Sequence, residues 1–499
     1  MSIKPGEAQL AFDLPTFVDS ISSGETLIGE HLTLHRVPAF RSSTAGSVFL
    51  TNSLLISVTN NLVFTGGPDV VTNLNDSGYF QTAAAGQYYL AAGSPHRNAG
   101  TANINSNLLS ELKARTTYPP ILVFSNTFAS DVTLAPQAAR DTDAPDIGYH
   151  YDPIDYSIGA LTATNVNVVV QPGTALATYA TSASFALVVA GQSQFRCEGT
   201  PTALNRIVRY DSVQEINTNW GPSAHGIATG TASGADPVLV RLRFTDWVGN
   251  GLDAIHLHGG VEHAGRLEFL DSQMFGGTVI SARPSANFTN SLFSGSSLWL
   301  EDNGGSYQPG HSGRNNLIHR SLLEFDHQTA DTWTWRDNFV AESTVNEYGS
   351  FVGDGDYNAY TTNTWRLGAN SGSFDVLLAT NTVPFQSGPL GLFYLPTAGP
   401  GTNLFNTGST NADLRGFYHY TTTTNQMKET NSTVDIGFHL IALNGPNQPL
   451  DSDGDGIPDW LEDLNGNGSV NSGETVWTNA TDLGLKVQIT NPRSNSPLP

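Results

Sequence analysis

A single cysteine, Cys197, stands among 499 residues. No intrachain disulfide can form, which excludes a disulfide-stapled small domain. The setting Phe195-Arg196-Cys197 has strand spacing and predicts a buried, inert thiol. Lysine is nearly as scarce, with only Lys4, Lys113, Lys428 and Lys486. Twenty-two basic residues against 45 acidic ones leave a formal charge of −23. That balance opposes binding to nucleic acid or to an anionic membrane surface, because both need a basic footprint. No apolar run reaches the roughly 18 residues of a transmembrane helix, so no membrane insertion is expected. Met1-Ser2-Ile3-Lys4-Pro5 has no apolar h-region, so no signal peptide is visible; either the protein is not exported or this chain is a fragment of a longer one, and the acidic loops within 451–475 favour the fragment.

What the chain has instead is Asn, Thr, Ser and Gly, a composition that favours strands and turns over helices. It also repeats itself. Gly86-Gln-Tyr-Tyr-Leu90 returns as Gly391-Leu-Phe-Tyr-Leu395, and Asn98-Ala-Gly-Thr101 as Asn406-Thr-Gly-Ser409. Asp146-Ile-Gly-Tyr-His150 returns as Asp435-Ile-Gly-Phe-His439. Residues 1–152 therefore read as the end of a first unit and 153–440 as a complete second one. A shorter recurrence lies inside them: an apolar residue, a spacer, then usually Asp or Asn. It appears as Phe244-Thr-Asp246, Phe269-Leu-Asp271, Phe288-Thr-Asn290, Leu317-Ile-His319, Trp335-Arg-Asp337 and Leu50-Thr-Asn52. A period of about 20–30 residues with short alternating strands points to an all-β fold, a parallel β-helix. Each coil would bury its inner face only by stacking on its neighbours. Residues 441–450 read as a linker, and 476–499 as the start of a further domain, a β-sandwich.

Between these lies the densest chemical signal, residues 451–475. The first of two abutting loops offers Asp451, Asp453, Asp455, the carbonyl of Ile457, Asp459 and Glu462. The second offers Asp463, Asn465, Asn467, the carbonyl of Ser469, Asn471 and Glu474. Oxygen ligands at positions 1, 3, 5, 7, 9 and 12 with Gly at 6 are what calcium, a hard cation, requires. The first loop carries five carboxylates and the second two, so the second should bind more weakly. The loops abut, leaving no room between them for the flanking helices of an EF-hand. The segment resembles thrombospondin type-3 repeats and the calcium-loop linkers of bacterial surface proteins, without the cysteines of the animal repeats. That resemblance implies calcium as the bound ion and an extracellular or cell-surface setting.

Candidate catalytic groups are sparser. In Asp253-Ala-Ile255-His256-Leu257-His258, inward Ile255 and Leu257 would leave His256 and His258 side by side on the outer face. Asp253, Asp271, Glu262, His263 and Arg266 are near in sequence. Such a set can serve as acid/base groups on a polysaccharide or bind a transition metal; the plainer reading is a solvated strand face. Asp354-Gly-Asp356 with Glu347 reads first as a turn, and as a carboxylate pair second. Trp333, Trp335, Tyr348, Tyr360 and Trp365 offer a sugar-stacking platform or core packing.

The second unit resembles right-handed parallel β-helix proteins, a group rich in polysaccharide lyases and hydrolases. Residues 390–475 resemble segments of large secreted proteins of environmental bacteria such as Verrucomicrobia and Planctomycetes, a likeness that implies no activity. The Asp-Asp, Gly-His-Gly and Arg-x-Lys motifs of polygalacturonase-like enzymes are absent, and no lysine falls between 114 and 427. The expectation is a secreted or cell-surface, calcium-binding scaffold contacting a polysaccharide or a surface partner. The alternative is a carbohydrate-active β-helix enzyme, a lyase or a glycoside hydrolase.

Overall fold

The computed structural model describes residues 26–37, 47–59, 64–124, 127–179, 185–215, 225–232, 238–249, 255–259, 265–282, 284–302, 310–327, 333–349 and 353–484, apart from 363, 365 and 368–371. Its strands fall mainly into three parallel sheets of nine, nine and eleven strands, and the chain is a parallel β-helix. No described helix is long and apolar enough to cross a membrane. Two compact units divide the chain: 1–287 with 293–310 and 321–329, and 288–292 with 311–320 and 330–499.

In the first unit, strand alternation turns every second side chain inward, and parallel pairing stacks equivalents above one another. Val168, Phe195, Val240 and Leu267 form one inward column, and Val170, Cys197, Leu242 and Phe269 the next. All eight are buried. Cys197 is thus one rung of a hydrocarbon column, and burial pushes its thiol up to about 12. A thiol held there stays un-ionised and inert. Between strands the chain turns on residues in the left-handed region, among them Asn52, Asp271, Asn290 and Asp337 at φ of 50°, 49°, 49° and 60°. Asn and Asp tolerate this conformation because their short polar side chains bond the local backbone. Two of the six recurrences fall elsewhere in the coil. Phe244 itself takes one corner at φ 45°, and Asn315 rather than His319 takes another at φ 53°. An apolar-spacer-polar triplet also occurs inside a half-buried strand, so the pattern alone does not mark the corner.

In the second unit the residues that follow the corners at Asn315, Asp337 and Tyr357 build a buried amide ladder. Asn316 donates from its backbone N–H (3.1 Å) and Nδ2 (2.8 Å) to Asn338 Oδ1. Asn338 does the same to Asn358 Oδ1, both at 3.0 Å. The Nδ2 groups of all three also reach carbonyls one coil back, those of Phe288, Gly313 and Trp335. All three asparagines are 0 % exposed. Each amide is satisfied only while two neighbouring coils stay in register, so the ladder fixes coil stacking.

Each unit also carries a hairpin and a strap laid over coil corners. The hairpins are Phe80–Ala83 with Gly86–Leu90, and Gln386–Gly388 with Gly391–Tyr394. The second covers the outer face of strands Leu317–His319 and Phe339–Ala341, with Phe385 6.1 Å from Phe339 and Phe393 5.3 Å from His319. Those strands are consequently buried on both faces. The straps make the same bonds in both units. Gly148 N–H donates to Asn52 O (2.8 Å), and Gly437 N–H to Asp337 O (3.0 Å). Thr101 N–H donates to Asn52 Oδ1 (2.8 Å), and Ser409 N–H to Asp337 Oδ1 (2.6 Å). Asn98 N–H donates to Asp146 Oδ1 (2.7 Å), and Asn406 N–H to Asp435 Oδ1 (2.8 Å).

Asn338→Ala should destabilise the second unit by about 3 kcal/mol, because it orphans buried partners on both sides. Arg320→Ala, which removes an exposed ion pair with Glu342, should cost under about 1 kcal/mol. Equal losses in a urea titration would show that the ladder carries no special share of stability.

Candidate functional site

The strand that offered either a solvated face or acid/base groups, Ile255–Gly259, buries one of its two histidines. His256 is buried, 2 % exposed, where an outward ring was expected. Its ring stacks on Trp247 at 5.1 Å. Cβ atoms added at Gly249 or Gly277 would lie 2.0 and 2.2 Å from it, so those glycines make room for the ring. Burial pushes its pKa down to about 3, with Arg209 adding to the shift, so the ring stays neutral. His258 is half-buried against Phe185 at 6.0 Å. Asp271 turns a corner after a strand of a different sheet and pairs with Arg243 at 3.1 Å. Asp253, Glu262 and His263 lie outside the described residues. Asp354 pairs with Arg336, and Asp356 Oδ1 accepts the N–H of Tyr357 (2.9 Å) and of Phe374 (3.0 Å), which is turn chemistry. Trp333, Trp335 and Tyr360 are core residues, so they form no platform; Tyr348 is exposed, and Trp365 lies outside the described residues.

Sequence reading missed the ionisable groups under the straps. In the first unit His150 Nε2 meets Asp141 Oδ2 at 2.7 Å, its Nδ1 donates to Gly148 O at 3.0 Å, and the Thr117 hydroxyl donates to Asp146. In the second, His439 Nε2 lies 3.4 Å from Glu429 Oε1, its Nδ1 donates to Gly437 O at 2.9 Å, and the Thr422 hydroxyl donates to Asp435 at 2.6 Å. The Asp-Ile-Gly-aromatic-His recurrence was the available signal. Glu429 and Asp435 also border a cleft of about 500 Å³ with Asn406, Thr422, Thr423 and Lys428. Burial, reinforced by Glu429, pushes Asp435 up to about 7. Burial would also raise Glu429, but His439 outweighs it and holds this carboxyl below its usual range. His439 is raised in turn, its carboxylate partners overcoming the burial. The recurrence of one hydrogen-bond pattern in two straps assigns these groups to holding the strap.

The metal-ligand pattern gives the most specific geometry. Both loops close in the same way. The carboxylate at position 1 accepts the position-6 N–H: Asp451 from Gly456 at 3.0 Å, and Asp463 from Gly468 at 2.7 Å. Position 3 accepts from position 5, as Asp453 from Asp455 at 3.2 Å and Asn465 from Asn467 at 3.1 Å. Position 5 accepts from position 7, as Asp455 from Ile457 at 2.7 Å and Asn467 from Ser469 at 2.8 Å. Gly456 and Gly468 supply the left-handed turn at φ 93° and 71°.

The loops then differ. In the first, Asp451, Asp453 and Asp455 each bring an oxygen within 4.8 Å of the others. Oxygens on opposite sides of one calcium ion are about 5 Å apart, so this trio can share an ion. Asp453 Oδ2, Asp455 Oδ2 and both oxygens of Glu462 are buried without a hydrogen-bond partner. Glu462 is 1 % exposed. Burial raises its pKa, Asp453 and Asp455 add to the rise, and the nearby Thr475 hydroxyl eases it without hydrogen-bond geometry. Buried carboxylate oxygens facing one another are costly unless a cation joins them. In the second loop the corresponding atoms are satisfied within the loop. Glu474 accepts the N–H of Asn465 (3.2 Å) and of Asn471 (2.7 Å), and Asn471 Oδ1 accepts both the Asn465 and Asn467 amides at 2.8 Å.

One further feature departs from the sequence reading. A single helical turn, Asp459–Glu462, occupies positions 9 to 12 of the first loop, started by Pro458. Within it Asp459 turns away from the trio and accepts the Ser452 N–H and hydroxyl, both at 2.7 Å. Residues 441–450, a linker by composition, make hydrogen bonds among themselves and to the first loop. Asn444 N–H donates to Gln448 O (2.8 Å), Leu450 N–H to Ala442 O (3.1 Å), and Asp459 N–H to Leu450 O (2.9 Å).

Comparison of the chain with protein-family models, with curated proteins and with solved structures finds no match.

Asp435 is protonated more readily folded than unfolded, so its contribution to stability is lost as pH rises from about 4 through about 7. His439, also raised, acts in the same direction, whereas Glu429, lowered, loses its contribution only at acid pH. The melting temperature should therefore lose the Asp435 contribution between about pH 4 and 7, and Asp435→Asn should remove that part of the slope. An unchanged slope in the variant would place the loss elsewhere.

Proposed function

We propose that this chain is a non-catalytic, calcium-binding scaffold of the secreted or cell-surface kind, its β-helix presenting a surface to a polysaccharide or cell-surface partner. The observation that carries the calcium assignment is Glu462, whose two buried, unpartnered oxygens belong to the same loop as the Asp451-Asp453-Asp455 trio. Asp451, Asp453, Asp455 and Glu462 would hold the ion. The ion would supply the charge balance and folding free energy that this acidic, glycine-rich segment lacks. Millimolar free calcium, mainly an extracellular condition, supports the location. The second loop, with fewer charges and internally satisfied donors and acceptors, would bind far more weakly.

The non-catalytic reading rests on the burial of His256, the engagement of Asp271 with Arg243, and the structural duplication of the strap carboxyls. A carbohydrate-active enzyme is the competing reading, and the observation in its favour is the cleft bordered by Glu429 and Asp435.

Terbium luminescence sensitised by Trp460, with calcium competition, should report one tight site in the intact chain. Glu462→Gln, or Asp453→Asn with Asp455→Asn, should weaken it by at least about tenfold, and Glu474→Gln far less. Loss of affinity confined to Glu474→Gln would assign the ion to the other loop. A parallel screen on acidic and neutral polysaccharides should give binding without new reducing ends or unsaturated products; turnover abolished by Asp435→Asn would establish the enzyme instead.

A further inference from the structure

The metal segment is seated on the strap of its own unit. Tyr418 N–H donates to Gly466 O at 3.0 Å. A Cβ at Gly466 would lie 2.1 Å from Gly416 O, and one at Gly468 would lie 2.2 Å from the Tyr418 ring, so the loop backbone meets the strap backbone at Gly466 and the Tyr418 ring at Gly468. His419, 3 % exposed, stands between the two loops. Its Nε2 is 3.1 Å from Asp463 Oδ2, and its Nδ1 is 3.7 Å from Asp459 Oδ2. Trp477 packs edge-on against the same ring at 5.4 Å, and Lys428 Nζ reaches Asp459 at 3.5 Å.

The other side of that strap grips the solenoid. Arg415 lies 3.7 Å from Asp337 and donates to Ser409 Oγ at 3.1 Å; Ser409 in turn bonds Asp337 through its N–H and hydroxyl. Phe417 stacks on His439 at 4.7 Å. The His439 backbone exchanges two bonds with the Asn290 side chain, N–H to Oδ1 at 2.7 Å and Nδ2 to O at 2.9 Å. Asn315 Nδ2 donates to Asp435 O at 3.2 Å. Three successive corners, Asn290, Asn315 and Asp337, are thus held by one strap whose outer side is the bed of the calcium loops.

We infer that calcium in the first loop clamps residues 404–443 onto the coil corners of the second unit, so that the metal segment acts as a calcium-dependent lock on the β-helix flank and not as a spacer to a following domain. The inference rests on the calcium reading above. Asp459 links the two functions. It belongs to the helical turn that ends in Glu462, yet its carboxylate faces Ser452, His419 and Lys428. Ordering that turn around an ion orders the groups that face the strap. Without the ion, repulsion among Asp451, Asp453, Asp455 and Glu462 works against that order.

Hydrogen exchange followed by mass spectrometry on the intact chain tests this, with terbium luminescence run in parallel as an independent report of metal binding. Calcium should slow exchange in 451–474 and also in 404–443, by up to about a hundredfold at free calcium a hundred times the Kd if both open as one unit. His419→Ala, and separately Gly466→Ala, which drives a methyl into Gly416 O, should retain terbium binding but lose the slowing in 404–443. Slowing confined to 451–474 in the unaltered chain would overturn the clamp and leave the calcium site standing. Slowing of 404–443 that persists in both variants would overturn the route through His419 and Gly466. Absence of terbium and calcium effects altogether would remove the calcium reading itself, and the clamp with it.

Discussion

A coil of a parallel solenoid can bury its inner face only against the coils on either side, so every turn must return the chain to the same height above its predecessor. That constraint falls on the corners. Asn52, Asp271, Asn290, Asn315 and Asp337 meet it by entering the left-handed region, and in the second unit the asparagines that follow the corners convert it into a buried ladder. The ladder stabilises only when complete, because an amide without its neighbour is a buried polar group without a partner. Hydrophobic columns such as Val170-Cys197-Leu242-Phe269 supply the larger share of burial, but they tolerate slippage that the amides do not.

A solenoid closed only by its corners would still expose the outer faces of its sheets. The hairpin-and-strap segments answer that in both units. They cover one sheet with aromatic side chains and seat a strap on the left-handed corners, where carbonyls and short side chains are available for bonding. Acidic and imidazole groups lie beneath the straps beside buried apolar residues such as Leu404, Phe417, Val434 and Ile436, and their charge-assisted hydrogen bonds add to that burial. These bonds leave the straps dependent on protonation, and burial and Glu429 push the Asp435 carboxyl up to about 7.

The acidic loops extend this economy of polar contacts by one step. A segment with so little apolar surface gains little from burial alone, and on the proposed reading an ion would supply the difference. Its backbone lies against the strap at Gly416, Gly466 and Gly468, where any side chain would separate the two. The loops, the strap and the corners of the second unit form a single run of contacts, with His419 at the centre of its outer half.

Much of this was legible in local pattern. Strand alternation and the spacing of Asn and Asp at corners specified a parallel β-helix, and the duplicated Asp-Ile-Gly-aromatic-His marked two equivalent segments. Oxygen residues at fixed loop positions with Gly456 and Gly468 specified the loop conformation, because a turn at positive φ depends on the residue that makes it. What local pattern did not contain was which faces become covered. His256 looks like an outward residue of a two-faced strand, and only Trp247, Gly249 and Gly277, brought beside it by folding, make its site an interior one. Phe244 and Asn315 take corners that the triplet pattern placed elsewhere. Asp459 fits a ligand position by count, yet it serves the junction because Ser452, Lys428 and His419 surround it. Backbone conformation follows largely from near neighbours in sequence, so the sequence by itself determined the coil, the loops and four of the six corners it marked. Burial, pairing and protonation follow from neighbours distant in sequence, so only the tertiary structure decided which of the chemically eligible residues face solvent, which hold the straps, and which are buried without a hydrogen-bond partner.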